Sequence, residues 1–330
     1  MRPTSRTNAD RHFEGTGIVN RESAWKVRIG VNPISWSNDD LPSLGGDTPL
    51  ATALSEGARI GYAGFELGNK FPQSSQALKA VLAEYGVACV SGWYSGRLAH
   101  QGVDAEIRDG AAHMEKLQAQ GCNVVVYGEV ADSIQGRRGT PLAKRPRWRS
   151  DASWSDYGKR LNAYGEHLRA RYGLTLAYHH HMGAYVETAD DVDRLMAVTD
   201  KNVGLLFDTG HCYLAGAVAG LDTDVVAQLA RHAQRVVHVH CKDVRPRIAR
   251  AVRNEGWSFL DAVMNGVFTV PGDGCIDFHA VLAVLHNAGY QGWLVVEAEQ
   301  DPAVAPSYQY AKLGYQTLSA IVADLQGDQA

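Results

Sequence analysis

Eight short runs of aliphatic, β-branched and aromatic residues alternate with longer stretches of helical periodicity from about residue 27 to the end of the chain. Gly, Asn or Asp flank the runs, and their interiors are apolar, as in strands that are buried on both faces. The runs lie at 27–33, 64–68, 87–93, 123–128, 174–180, 203–208, 235–240 and 293–298. The helical patterns lie at 48–60, 73–85, 104–120, 154–171, 188–199, 222–233, 279–288 and 307–325.

Eight strands, each followed by a helix, are the repeating units of a (β/α)8 TIM barrel, an α/β fold. The same alternation is also compatible with a doubly wound open sheet. The barrel is favoured because the count closes at eight and no Gly-x-Gly-x-x-Gly motif opens the first unit. We predict a single barrel domain over residues 27–330, preceded by a polar N-terminal extension over residues 1–26.

Two connections are longer than the few residues that usually join a strand to its helix. They span residues 129–153 and 241–278. Since both follow a strand, a barrel would place both on the face where active sites form, where long loops often act as lids. A surface excursion or a contact between copies in a homo-oligomer explains them equally well.

Composition narrows the class of protein. The net charge of −4 disfavours a nucleic-acid-binding protein, which normally presents a basic surface. No apolar run approaches the roughly 18–20 residues that cross a membrane, and we expect no membrane association. The five cysteines form no Cys-x-x-Cys pair, which is typical of a reduced, cytoplasmic protein.

Polar side chains cluster at the ends of the last four predicted strands, which are neighbours on the carboxyl-terminal rim of a barrel. Imidazoles and carboxylates that converge from several strands form a mixed nitrogen and oxygen site. That ligand set suits Mn²⁺, Co²⁺, Fe²⁺ or Zn²⁺ better than Mg²⁺ or Ca²⁺. The candidate residues are His179, His180, His181, Asp208, His211, His238, His240, Lys242, Asp243, Glu297, Glu299 and Asp301.

The alternation of side chains along a strand sorts these candidates. His179 and His181 share one face of their strand, and His180 points to the other. On the seventh strand His240 lies at the rim, whereas His238 lies deeper and is interpreted as a supporting or core residue. The predicted metal ligands are His179, Asp208, His240 and Glu297, with His181 as the alternative ligand from the fifth strand.

The chain resembles the inosose dehydratases, also called 2-keto-myo-inositol dehydratases, of the xylose isomerase-like barrel superfamily. The resemblance covers residues 28–325 and is carried by RIGVNPISWSNDD, YHHHMGAYVET, LLFDTGHCYLAG, VVHVHCKDVRP and VFTVPGDGCIDF. In that superfamily Glu, Asp, His and Glu usually hold the metal, which implies Asp208, His240 and Glu297 here. His179 stands where the first Glu is expected.

This difference bears on the reaction. In related ketose epimerases the two glutamates are the proton-transfer bases, so one base is absent here and a lyase is favoured. The resemblance implies loss of water from a small polyol ketone, scyllo-inosose, to give a trihydroxycyclohexane-1,2-dione, with Mn²⁺ or Co²⁺ as cofactor. The alternatives are a metal-dependent isomerase or epimerase, a nuclease of the endonuclease-IV type, disfavoured by charge, and a non-catalytic sugar-binding barrel.

Four residues are candidates for proton transfer. Lys242 follows the predicted ligand His240, and an electropositive site would depress its pKa, so that it acts as a base or holds the enolate oxygen. A salt bridge to Asp243 or to another carboxylate is the alternative. His181 and His211 are the acid candidates, although His211 is also placed to bond Asp208 or substrate. Glu297 is a further candidate base.

Three residues near the rim are candidate substrate contacts. Asn32 and Trp36 follow the first strand and could offer an amide and an aromatic face to a polyol ring. Glu66 lies in the second strand and could accept a hydrogen bond from a hydroxyl group. A structural role explains each position equally well.

Overall fold

The computed structural model describes residues 25–327, over which the chain forms ten strands and eleven α-helices. The strands are β1 (Val27–Val31), β2 (Gly64–Leu67), β3 (Ala88–Gly96), β4 (Val124–Glu129), β5 (Thr175–His179), β6 (Val203–Asp208), β7 (Val236–Cys241), β8 (Asp243–Val244), β9 (Phe268–Thr269) and β10 (Gly292–Val296). The helices are α1 (Leu50–Ile60), α2 (Ser75–Glu84), α3 (Val103–Ala119), α4 (Asp151–Tyr172), α5 (Ala189–Val198), α6 (Thr209–Ala219), α7 (Val225–His232), α8 (Pro246–Glu255), α9 (Phe259–Met264), α10 (Phe278–Asn287) and α11 (Ser307–Leu325).

Eight of these strands close a parallel barrel in the order β1-β10-β7-β6-β5-β4-β3-β2. Closure is completed between the first and last strands, where Val27 lies opposite Gly292. Apolar side chains such as Val126, Ala177 and Leu206 pack together, because such strands have no face to offer to water. The predicted barrel is confirmed.

The register of the strands brings the residues of the predicted metal site to one rim of the barrel. Asp208 at the end of β6 lies opposite His240 on β7, and His179 at the end of β5 lies opposite Leu206. Glu297 directly follows β10, which pairs with β7. Four different strands therefore deliver their ends to the same edge of the barrel.

Helix α6 is the main departure from the sequence prediction, which placed the helix after β6 at residues 222–233. The chain instead enters α6 at once, and α7 follows as a separate helix. Asp208 is the N-cap of α6 and accepts a hydrogen bond from the backbone N–H of His211 at 2.8 Å. Most of α6 is buried, so its sequence lacks the alternation of apolar and polar faces that marks an amphipathic helix.

The connection over residues 129–153 packs onto the segment that follows β5. The buried guanidinium of Arg145 lies 3.2 Å from Oε1 of Glu187 and also pairs with Asp191. Trp148 stacks on Tyr185 with ring centroids 4.2 Å apart. These contacts fix the turn that carries the three consecutive histidines.

The connection over residues 241–278 is folded rather than irregular, with β8 and β9 paired and α8 and α9 between them. Asp243 accepts hydrogen bonds from the backbone N–H groups of Gly272, Gly274, Cys275 and Ile276. This carboxylate therefore shapes the PGDG turn, and the alternative in which it pairs with Lys242 is not what the structure shows.

Trp25, the first residue that the structure describes, belongs to the packed core. Its indole is buried and donates a hydrogen bond to the carbonyl of Tyr290 at 2.6 Å. The predicted extension over residues 1–26 lies outside the described residues except for Trp25 and Lys26. Among the helices of the described range, none combines the length and apolar character that a membrane crossing requires.

Candidate metal centre

Four buried side chains meet at the carboxyl-terminal rim. One ligand atom from each of His179, Asp208, His240 and Glu297 lies within 4.8 Å of the others. Oδ2 of Asp208 is 3.6 Å from Nε2 of His179 and 3.5 Å from Nδ1 of His240. Oε2 of Glu297 also contacts Nδ1 of His240. The structure thus brings together the four residues that the sequence nominates, whereas His181 lies in a neighbouring group with His211 and Glu299.

Local hydrogen bonds aim two of these ligand atoms. Nδ1 of His179 lies 2.7 Å from the carbonyl oxygen of His180, to which it donates, so the lone pair of Nε2 is left for the centre. The helix cap engages Oδ1 of Asp208 and leaves Oδ2 facing the histidines. A metal ligand is commonly oriented by such a bond on its other polar atom.

Glu66 hydrogen-bonds His240 through Nε2, the ring nitrogen that does not face the other three candidate ligands. Its Nε2 lies 3.2 Å from Oε1 of Glu66, which also lies 2.8 Å from Nε2 of His238, and Asn32 donates to Oε2 of the same carboxylate at 2.8 Å. Burial raises the pKa of Glu66, but His240 and His238 outweigh burial and hold that pKa well below its usual range. The carboxylate is therefore ionised.

The polar atoms at the centre fit a divalent metal. Oδ2 of Asp208, Nδ1 of His240 and Oε2 of Glu297 are buried without a hydrogen-bond partner among the described residues. Three buried carboxylates, those of Asp208, Glu297 and Glu299, face the single ammonium group of Lys242, and this excess of negative charge is costly away from water unless a further cation balances it. Two imidazoles and two carboxylates suit Mn²⁺, Co²⁺, Fe²⁺ or Zn²⁺.

Lys242 lies beside this cluster, enclosed by acidic groups. Its Nζ is 2.7 Å from Glu299, 3.3 Å from Glu297 and 3.4 Å from Asp208. Burial lowers the pKa of the ammonium group, but the three carboxylates outweigh burial and raise that pKa above its usual value. The expectation of a depressed pKa is therefore wrong, because Lys242 faces negative rather than positive charge. Gly210 makes room for it, since a Cβ there would lie 2.6 Å from Cγ of Lys242.

His181 and His211 pack against each other at the side of the centre, with ring centroids 4.1 Å apart and ring planes tilted by 41°. Nδ1 of His181 bonds the carbonyl oxygen of Met182 at 2.9 Å, so a neutral ring has its lone pair on Nε2. Nδ1 of His211 accepts from the backbone N–H of Met182 at 3.2 Å, and its ring packs against Phe259. Burial lowers the pKa of His181 to about 4.

A cavity of about 390 Å³ opens onto the cluster, within the roughly 300–1,000 Å³ usual for small-molecule sites. His181 lies on its wall, whereas Lys242 and His211 are fully buried behind it. The polar and charged residues of the wall are Asn32, Asp39, Asp40, Glu66, Asn69, Gln73, Ser95, His113, Lys116, Gln135, His179, His181, His240, Glu297 and Glu299.

The aromatic residues that line the cavity are Trp93 and Phe71, and not the predicted Trp36. Trp93 stands edge-on to His179 and His181, with centroid distances of 5.5 and 5.7 Å. The indole of Trp36 is buried, donates to Glu56 at 2.7 Å and packs on Phe65, outside the residues that line this cavity. The prediction that Trp36 contacts the substrate is therefore not supported by its position in the fold.

A model of the family described as xylose isomerase-like TIM barrel matches residues 54–318. The chain belongs to the xylose isomerase-like TIM barrel family. The rhizopine catabolism protein MocC of Rhizobium meliloti is 50% identical over 306 residues, 92% of this chain and 91% of that protein. An inosose dehydratase of Geobacillus thermodenitrificans is 44% identical over 287 residues, 87% of this chain and 94% of that protein. The predicted resemblance is confirmed.

Solved structures of xylose isomerase-like barrels share the fold. The crystal structure of IOLI protein with a binding zinc atom superimposes with a TM-score of 0.59 and 17% identity, over 91% of this chain and 98% of that chain. At this identity the likeness supports the architecture alone. Within this xylose isomerase-like chain, the buried His, Asp and Glu cluster is the site at which a metal could bind.

Glu299 and Trp93 are the residues of this site whose roles the sequence did not predict. Glu299 lies two residues past Glu297, beyond the last residue of β10, where strand alternation no longer fixes its direction. The sequence predicts that the third strand ends at Trp93, whereas β3 continues to Gly96 and carries the indole onto the cavity wall. Both Trp93 and Trp36 lie near the end of a predicted strand, so position in the sequence does not distinguish the tryptophan that lines the cavity from the one that does not.

Proposed function

We propose that the protein is an inosose dehydratase, which converts scyllo-inosose into a trihydroxycyclohexane-1,2-dione by removing one water molecule. The observation that carries the proposal is that the end of β5 and the turn after it present His179 and His181, and no carboxylate, to a polar cavity. A single glutamate, Glu297, then remains of the two that a two-base epimerisation would use. The relatives named inosose dehydratase support the same activity.

His179, Asp208, His240 and Glu297 would hold the metal, with Mn²⁺ or Co²⁺ as the proposed ion. When bound, a divalent metal polarises the ketone oxygen and lowers the pKa of the neighbouring carbon acid. Lys242 supplies a fixed positive charge behind the wall, 3.3 Å from Glu297, that compensates the carboxylates of the centre. It acts as this charge rather than as a base.

His181 is proposed as the group that moves the proton. Its Nδ1–H is committed to the carbonyl of Met182, so Nε2 accepts the α-proton as the C–H bond breaks. The imidazolium then returns that proton to the departing β-hydroxyl group, the C–O bond breaks, and water leaves. Glu297, on the same wall, is the alternative acceptor of the α-proton, and His211 supports His181 by packing against its ring.

The experiment is incubation of the Mn²⁺-loaded protein with scyllo-inosose, with the products identified by mass spectrometry and by the ultraviolet absorption of the dione. We expect a product that has lost one water molecule. A rearranged inosose or ketose of unchanged mass would establish the isomerase or epimerase instead. If neither product forms, scyllo-inosose is not the substrate. A compound of rhizopine catabolism, the process in the name of the MocC relative, would then be tested.

A further inference from the structure

A buried carboxylate links opposite parts of the barrel interior behind the proposed metal centre. Glu66 lies on β2, whereas His238 and His240 lie on β7, and β1 and β10 separate these strands in the barrel order. The side chain of Glu66 therefore reaches across the barrel to bond both imidazoles. Its carboxylate is about 4% exposed, and His238 is fully buried.

The carboxylate of Glu66 and the imidazoles of His238 and His240 also have the composition of a metal-binding group. The distances from Oε1 of Glu66 to Nε2 of His238 and His240 are 2.8 and 3.2 Å, which are typical of hydrogen bonds, and the number of Co²⁺ ions bound per chain distinguishes hydrogen bonding from a second metal site. Asn32 donates to the other oxygen, and its own Oδ1 accepts from the backbone N–H of Ile34. The carboxylate is thus fixed from both sides.

The orientation of His240 follows from this network. When a metal occupies the centre, Nδ1 of His240 must keep its lone pair, so the one proton of the neutral ring lies on Nε2 and is donated to Glu66. That lone pair faces Asp208 and Glu297, the two carboxylates of the centre. The other tautomer would present Nδ1–H to the metal, and a ring flipped by 180° would present a carbon atom, so neither could bind it.

We infer that Glu66 is a positioning residue that fixes the ring orientation and the tautomer of His240 for metal binding. This role differs from the substrate contact that the sequence suggested, because both carboxylate oxygens are already engaged. It rests on the metal centre proposed above. When a carboxylate hydrogen-bonds a histidine that binds a metal, removal of that carboxylate usually weakens metal binding.

The test compares Co²⁺ binding and the visible absorption of the bound Co²⁺ for wild type, Glu66→Ala and Glu66→Gln. For Glu66→Ala we expect affinity to fall by about 10–100-fold and the spectrum to change, because the ligand orientation is lost. Glu66→Gln keeps an oxygen that accepts the Nε2–H bond and is expected to recover most of the affinity. Glu56→Gln, which removes a carboxylate charge outside the cavity and keeps an oxygen that accepts from Trp36, is the matched control and should bind as wild type.

Each other outcome has a defined meaning. Unchanged Co²⁺ affinity and spectrum in Glu66→Ala would overturn the inference, as would two Co²⁺ per wild-type chain of which one is lost in Glu66→Ala. If Glu66→Ala does not fold, Asn32→Ala replaces it: a weakened affinity supports the role of Glu66, and wild-type binding contradicts it. A wild type that binds no Co²⁺ would refute the metal centre itself.

Discussion

Nε2 of His179 lies 3.6 Å from Oδ2 of Asp208, across the boundary between two neighbouring strands of the barrel. Each atom is aimed by a local bond on the other side of its own side chain, one to a backbone carbonyl and one from a helix N-terminus. In the proposed metal centre, one nitrogen and one oxygen ligand are thus oriented before any metal binds. Such preparation reduces the cost of ordering the site on binding.

Loss of a ligand should remove metal and activity together. His240→Ala and Glu297→Ala each take away one of the four converging ligand atoms. We expect purified variants to contain far less metal than wild type, by elemental analysis, and to have no dehydratase activity. His113→Ala, on the outer cavity wall, is the control and should keep its metal. Full metal content in either ligand variant would show that the ligand set is wrong.

Loss of the proposed proton carrier should lower the activity without changing the metal content. His181→Gln leaves the four ligands in place, because His181 belongs to the neighbouring group. We expect wild-type metal content with kcat lower by about 10²–10⁴-fold, the usual contribution of a general acid or base. Steady-state kinetics and elemental analysis on the same preparation provide the comparison. A variant with wild-type kcat would assign proton transfer to Glu297.

The strand ends of the site were predictable because two local rules apply to them. Parallel strands end on one rim, and side chains alternate along each strand, so His179 and His240 could be assigned to the same place without coordinates. The metal role of these residues stays a prediction. The position of Asp208 was predictable for the same reason, although its cap on α6 was not.

Other features depend on tertiary contacts that no local pattern records. The pKa of Lys242 follows from three carboxylates on β6 and after β10, and the sequence does not show which charges enclose a given lysine. Helix α6 is buried on most sides and carries no amphipathic signal. Trp36 is turned away because the 3₁₀ turn over Pro33–Ser35 directs it to Glu56.

The two tryptophans should differ in their effect on substrate binding. Trp93 lines the cavity, and Trp36 is buried outside its wall. We expect Trp93→Ala to raise KM for scyllo-inosose by about 2–10-fold, which corresponds to an aromatic contact of roughly 0.5–1.5 kcal/mol. Trp36→Phe should leave KM unchanged. The reverse order of effects in initial-rate measurements would contradict the assignment of the cavity wall.

Arg145 should contribute strongly to stability. Its guanidinium is about 3% exposed and pairs with Glu187 and Asp191, so Arg145→Ala leaves buried negative charge without a partner. We expect the free energy of unfolding to fall by about 3–5 kcal/mol in chemical denaturation. Lys159→Ala, which breaks an exposed pair with Asp156, is the control and should change it by less than about 1 kcal/mol. Equal effects of the two variants would contradict the buried role.

The dependence of turnover on bound metal tests the central claim most directly. Metal-free protein is titrated with Mn²⁺, and the rate of dione formation from scyllo-inosose is plotted against the Mn²⁺ bound per chain. We predict no turnover without metal and a linear increase that ends at one Mn²⁺ per chain, since the reaction is proposed to take place at a single centre of four residues. Dione formation at full rate by the metal-free protein would contradict the account.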